Sequence, residues 1–216
     1  MKTRPILFST DMVKAILDGR KTQTRRIVKP TKKGSSIYYS KDNKSMMEYR
    51  EGWGGHKLKP KALIEDVFWV RESFFHNWFE EQLDDYPKYC YKADFPIEYE
   101  HDGEKYSVDD FKWKPSIHMP KEACRLFLKV TNVRVERLQG ICEKDTIAEG
   151  IQPFYSGYLA YGDKSEEAKL YGVDPKDSFE LLWTMINGKK SWKDNPWVWV
   201  YDFEITERPE NFLKAA

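Results

Sequence analysis

Ser9-Thr10-Asp11-Met12-Val13-Lys14-Ala15-Ile16-Leu17-Asp18-Gly19-Arg20-Lys21-Thr22-Gln23-Thr24-Arg25-Arg26-Ile27-Val28 carries three successive instructions. Thr10 or Asp11 can cap a short helix, and Val13, Ile16 and Leu17 fall on one face of it. Gly19 then stops the helix. Residues 20 to 29 mix basic side chains with Thr22, Thr24, Ile27 and Val28, a β-branched content that favours a strand. Upstream, Pro5 to Ser9 reads as a first strand. The order is therefore strand, short helix, basic junction, strand. Alternation with period two puts Thr22, Thr24 and Arg26 on one strand face, so Lys21 must reach them from the turn after Gly19.

Working outward, residues 31–60 are rich in Lys, Gly, Ser and Tyr without sustained periodicity, and read as a long loop or insertion. Val67 to Arg71 is a compact apolar run suited to a central strand. A second insertion spans about 74–114, with a hairpin expected at Tyr99 to Tyr106 turning at Asp102-Gly103. Cys124 to Leu138 alternates with Leu126, Leu128 and Val130 on one face, then changes phase at Thr131-Asn132, the mark of a bulge. A short helix is expected over Glu143 to Glu149, ending at Gly150. A longer one begins at Asp174-Pro175, with Phe179, Leu182, Trp183 and Ile186 as its apolar face. Trp197 to Ile205 reads as the closing strand, its Trp197 and Trp199 filling the interior while Val198 packs under a helix.

The 216 residues suit one domain, with 40% hydrophobic and 33% charged residues, enough for both a core and a solvated surface. Thirty-six Lys and Arg against 35 Asp and Glu leave a formal net charge of +1, so any nucleic-acid site must be local. Cys90, Cys124 and Cys142 form no CxxC pair, the four histidines show no metal-ligand spacing, and no glycine-rich phosphate loop occurs. No cofactor and no metal is expected. Neither a signal peptide nor a membrane span is read from the sequence, and a reducing cytoplasm is the expected location.

The stretch Gly19 to Arg26 resembles the ASCH signature through Gly19, Lys21, Thr24 and Arg26. Phe68-Trp69-Val70-Arg71-Glu72, Ser116-Ile117-His118-Met119-Pro120 and Asn195-Pro196-Trp197-Val198-Trp199-Val200 resemble segments of the phage and prophage branch of that family. The resemblance implies an α+β fold: a single PUA-like mixed β-barrel over residues 1–216, with about three short helices and the two long insertions. Its cleft would take RNA or a nucleotide-like ligand. One branch of the family removes the acetyl group from N4-acetylcytidine with a lysine, a threonine and a glutamate. Lys21 and Thr24 match the first two, and Glu149 corresponds most nearly to the third.

Amide hydrolysis needs a nucleophile, a base and an acid for the leaving amine. Thr24 could supply the hydroxyl and Glu149 could hold a water or return a proton. Lys21 serves as base only with its pKa well below about 10.4, a shift that Arg20, Arg25 and Arg26 favour and Glu149 opposes. Arg26, Trp69, Arg71, Glu72, His118 and Met119 are the expected ligand-binding residues. Plainer readings stand beside these: Lys21 as part of a solvated strand edge, Trp69 as core, Arg71 and Glu72 as a structural ion pair, His118 as an ordinary loop histidine. Three classes follow. They are a hydrolase acting on an N4-acylated cytidine, a non-catalytic RNA-binding module, and a metal-independent ribonuclease using Lys21, Arg26 and Arg71. The partner is RNA or a modified nucleoside, with no membrane and no obligate protein partner.

Overall fold

The computed structural model describes residues 1–214 apart from 43, 53, 77–86, 97, 102–103 and 162–169. Strand β1 (Thr3–Leu7) leads into helix α1 (Thr10–Leu17), which Ser9 caps by accepting from the Met12 amide at 3.3 Å. Ser9 therefore takes the role expected of Thr10 or Asp11. Val13 and Ile16 are buried while Leu17 is 45% exposed, because the helix ends as Leu17 rotates off the core face. Gly19, at φ +72°, turns the chain as expected, and the Arg20 and Lys21 amides both donate to the Ala15 carbonyl. Strand β2 follows (Gln23–Ile27).

Residues 31–60 are more ordered than their composition suggested. Strands β3 (Ser36–Ser40), β4 (Ser45–Arg50) and β5 (Gly54–Lys57) form an antiparallel sheet of their own. Glu48 organises it from the inside. This fully buried carboxylate accepts from the Thr31 amide and hydroxyl and from the Lys32 amide. Polar residues that satisfy one another can build such a sheet without a strong apolar period.

Strand β6 (Val67–Arg71) pairs parallel with β1, and Pro5 is tolerated because β1 is an edge strand. The second insertion holds β7 (Phe74–His76), β8 (Tyr89–Tyr91) and the hairpin β9 (Glu98–His101) and β10 (Glu104–Ser107), with Tyr99 opposite Tyr106. The expected turn at 102–103 lies outside the described residues. Phe75, Phe95, Phe111 and Trp113 form an aromatic cluster here, with Phe75 and Phe111 stacked at 5.2 Å, which absorbs part of the chain's 15% aromatic content.

Strand β11 (Phe127–Arg137) shifts register between Val130 and Asn132, where the phase change placed a bulge. Helix α2 (Glu143–Ala148) ends at Glu149 and Gly150 as read from the sequence. Short strands β12 (Gln152–Phe154), β13 (Gly157–Leu159) and β14 (Tyr171–Gly172) precede α3 (Pro175–Asn187), which Asp174 caps. A fourth helix, α4 (Lys189–Lys193), follows Gly188 where only a connection was expected. It buries Trp192 against Phe179, a contact invisible to local pattern reading. Strand β15 (Trp197–Thr206) closes the chain order.

The main sheet runs β1-β6-β11-β15-β2, and all pairs except β1/β6 are antiparallel. Among the described residues no ladder joins β1 to β2, so both are edges. Along β15 the odd residues Tyr201 and Phe203 enter the core shared with Phe68, Val130 and α1. The even residues Val198 and Val200 pack under α3 with Phe179, Leu182 and Trp183, and burial stabilises each such side chain by on the order of 2 kcal/mol. Val198 thus lies under a helix as expected. Trp197 and Trp199 are only half-buried and lie against Val28, Met46 and Leu58, because the first insertion covers that end of the sheet. Ile186 is 50% exposed, at the open end of the α3 face. No helix among the described residues is long and apolar enough to cross a membrane.

Candidate functional site

The registers of β2, β15 and β11 explain why charge collects on one face. Arg25 lies opposite Val200 and Gln23 opposite Asp202, while Arg134 lies opposite Val200 and Glu136 opposite Val198 from the other side. Gln23, Arg25, Arg134, Glu136 and Asp202 therefore share the face that α2 covers. Helix α2 brings Asp145, and Glu149 follows four residues later on the same side, the helical neighbour spacing. Arg25, whose side chain is wholly buried, reaches Glu136 at 2.7 Å, Asp145 at 3.0 Å and Glu149 at 3.2 Å. Arg134 joins Asp145 at 2.6 Å to Asp202 at 3.0 Å, and Gln23 donates to Asp145 and Asp202.

Lys21 enters this network from the turn, as its spacing required. It is 1% exposed, and its Nζ donates to Glu149 Oε2 at 2.5 Å and to the Glu149 carbonyl at 2.9 Å. The Tyr161 ring lies 5.4 Å from the same nitrogen. Burial pushes the ammonium below its ordinary value, Glu149 works against that shift, and Arg26 and Arg25 add to it. Burial outweighs the neighbouring arginines, the reverse of the emphasis drawn from sequence. Gly150 lets the chain pass this crowd at φ +102°, since a Cβ there would stand 2.7 Å from the Tyr161 ring.

Because β2 is an edge strand, side chains from both of its faces reach one pocket of about 240 Å³. Thr24, Arg25 and Arg26 line one side with Glu149, and Phe179, Leu182 and Trp183 of α3 line the other. Thr24 is 3% exposed, and its hydroxyl has no hydrogen-bond partner among the described residues. Arg26 bridges the gap between the sheet edges by donating to the Leu7 carbonyl at 2.9 Å. Its guanidinium carbon lies 5.1 Å from the Phe8 ring, while its buried Nε has no partner, and neither has that of Arg25.

Lys21, Thr24, Glu149 and Arg26 are thus gathered around one pocket, with Lys21 behind Glu149. Trp69, Arg71, Glu72, His118 and Met119 assemble elsewhere. Glu72 is fully buried and pairs with Arg125, whose Nε and Nη2 each approach it to 3.0 Å, rather than with Arg71. Arg71 instead donates to the Ile117 carbonyl and lies 5.6 Å from the Trp69 ring. Trp69 is half-buried against Phe212 at 5.8 Å. Met119 is buried with its sulfur 3.2 Å from the Glu72 amide, and His118 is exposed in a separate cleft.

The structural role of Arg25, Asp145 and Tyr161 was not read from sequence. The four-residue spacing of Asp145 and Glu149 was the available signal for the first two; Tyr161 offered none. Among the described residues, no group of three or more His, Cys, Asp or Glu side chains is arranged to hold a metal. Comparison of the chain with family models, curated proteins and solved structures finds no match.

Proposed function

We propose that this is an ASCH-type domain with a PUA-like barrel architecture. Its Lys21, Thr24 and Glu149 pocket takes RNA or a nucleotide-like ligand and hydrolyses the amide of an N4-acylcytidine. The observation that carries the reading is the buried 2.5 Å contact of Lys21 with Glu149, at the wall of a pocket that Thr24 also lines. Arg26, spanning from β2 to the end of β1, supports a sheet curled toward closure. The pocket's 240 Å³ lies near the small end of ligand cavities, which suits a base or nucleoside better than a polynucleotide.

A proton can shift along the Lys21–Glu149 contact, leaving a neutral amine as base. That amine takes the proton of the attacking hydroxyl, from Thr24 or from a water. The oxygen adds to the acyl carbon, and the guanidinium groups at the pocket stabilise the charge that develops on the carbonyl oxygen. The C–N bond then breaks, a proton returns to the leaving N4 nitrogen, and water completes the reaction to free cytidine and the carboxylic acid.

The test is incubation with N4-acylated cytidines and chromatography of released cytidine. Thr24→Ala, Lys21→Ala and Glu149→Gln run alongside, each checked for folding by circular dichroism. Each should lose at least about 100-fold in turnover, and Glu149→Gln should retain binding. Absence of turnover with every acyl group refutes the hydrolase. Salt-dependent RNA binding without turnover would then identify a binding module, and strand scission a ribonuclease.

A further inference from the structure

The chain's second insertion builds a cleft of about 670 Å³ that shares no lining residue with the Lys21 pocket. Phe74, His76, Tyr89, Lys114, His118 and Pro120 line it. Two of the chain's four histidines meet here with a lysine, and no carboxylate belongs to the lining. In a chain with a formal net charge of +1, that is a local excess of donors and cations. Lys88 adds to it, with its ammonium 5.7 Å from the Tyr89 ring.

The walls are anchored to the rest of the fold. Phe74 and Lys114 exchange backbone hydrogen bonds at 3.2 and 2.7 Å, and β7 pairs with β8 to set His76 opposite Tyr89. The two rings meet edge to face at 5.4 Å. His118 sits on a turn closed by its amide donating to the Pro115 carbonyl at 2.9 Å, and the next residue, Met119, is buried. Arg71 holds the same turn through the Ile117 carbonyl. The Tyr89 hydroxyl donates to Glu122, which keeps that carboxylate bonded and outside the lining.

Aromatic rings and proline beside imidazole and ammonium donors match a ligand with a planar ring at one end and an anion at the other. We infer that this cleft is a second binding site, for a nucleoside monophosphate unit, either free or within a single-stranded RNA. The phosphate is taken by Lys114, His76 and His118, and the base lies against Tyr89 and Pro120. The inference does not depend on the Lys21 pocket being catalytic.

The experiment titrates the full chain with adenosine 5′-monophosphate, adenosine, inorganic phosphate and a short oligoadenylate, followed by calorimetry and NMR. The monophosphate should bind at least about tenfold more tightly than either adenosine or phosphate, since only it uses both ends of the cleft. Lys114→Ala and His118→Ala change exposed side chains and should each weaken it at least about fivefold, whereas Thr24→Val should leave it unchanged. An oligoadenylate that binds at least as well assigns the site to RNA, and one that does not assigns it to the free nucleotide. Equal affinity for monophosphate and phosphate overturns the inference. So does no binding at millimolar concentration, or a loss caused by Thr24→Val but not by His118→Ala.

Discussion

Replacing Glu149 by Gln should expose how much the fold pays to bury Lys21. Among the described residues Glu149 is the one carboxylate that Lys21 touches, whereas Arg25 keeps Asp145 and Glu136. The substitution therefore strands the lysine far more than the arginine. Breaking one side of a buried pair costs about 3–5 kcal/mol. An independent bound comes from letting Lys21 release its proton, which at pH 7 costs about 1.4 kcal/mol for each unit below about 10.4, or about 4.6 kcal/mol. At pH 9 the same bound falls to about 1.9 kcal/mol. The sign follows from proton binding: Lys21 titrates lower in the folded chain than in the unfolded one. Between those two values the unfolded chain holds the extra proton, so stability rises with pH, over a wider window in the variant. At roughly 2–4 °C per kcal/mol, a 4 kcal/mol loss lowers the melting temperature by about 8–16 °C at pH 7, and by about half as much at pH 9. Thermal melts of Glu149→Gln and of the Lys21→Met/Glu149→Gln double variant check this, with the double variant recovering at least half the loss. A deficit that is the same at pH 7 and pH 9, or a double variant no more stable than the single one, would refute the reasoning.

Three further outcomes follow from other buried groups. Burial alone would raise Glu48, yet hydrogen bonds from the Thr31 hydroxyl and from the Thr31 and Lys32 amides hold it at about 2. Its contribution is therefore complete above 4.5 and fades as pH falls toward about 2, and hydrogen exchange at Thr31 and Lys32 should accelerate over that range. Arg125→Ala should cost about 2–4 kcal/mol by urea denaturation, less than a fully enclosed pair because Arg125 is partly exposed. Burial already pushes the Glu72 carboxyl up against the pull of Arg125, so the loss should be larger at pH 8 than at pH 5, where Glu72 can take a proton. Gly150→Ala forces a Cβ to 2.7 Å from the Tyr161 ring at φ +102°, and should destabilise by about 2–4 kcal/mol while disturbing the Lys21 contact. An unchanged melting temperature in that variant would mean that Tyr161 yields freely.

The elements carrying a strong local rule were legible in the sequence. The Gly19 stop, the bulge near Asn132, the Asp174 cap and the pairing of Tyr99 with Tyr106 all rest on chemistry within a few residues. What escaped was decided across the chain. The sheet in residues 36–57 is organised by Glu48 reaching back to Thr31, which no window of alternation contains. Trp197 and Trp199 were assigned to the interior from their strand face, but the element covering that face was one not expected to have structure. At the site, Lys21 and Glu149 were paired through the family resemblance. Arg25 was read only as a neighbouring charge, although alternation puts it on the face of Gln23, toward α2.

The plain alternative for Lys21, Arg25 and their carboxylates is a structural ion network, and its energetics can be weighed. Well-packed apolar side chains of similar volume are often as stabilising as a buried ion pair, or more so by about 1–4 kcal/mol. Val198, Val200 and Phe179 show that apolar packing is available on this face. Stability alone therefore gives little reason to hold an ammonium at 1% exposure beneath Glu149. Three features sit beside that pair: a buried threonine hydroxyl with no partner among the described residues, two guanidinium Nε donors in the same condition, and a strand edge left unpaired. Each costs stability when left dry and each is relieved by a ligand that brings acceptors into the pocket. A network that served structure alone would have no use for their convergence on one 240 Å³ space.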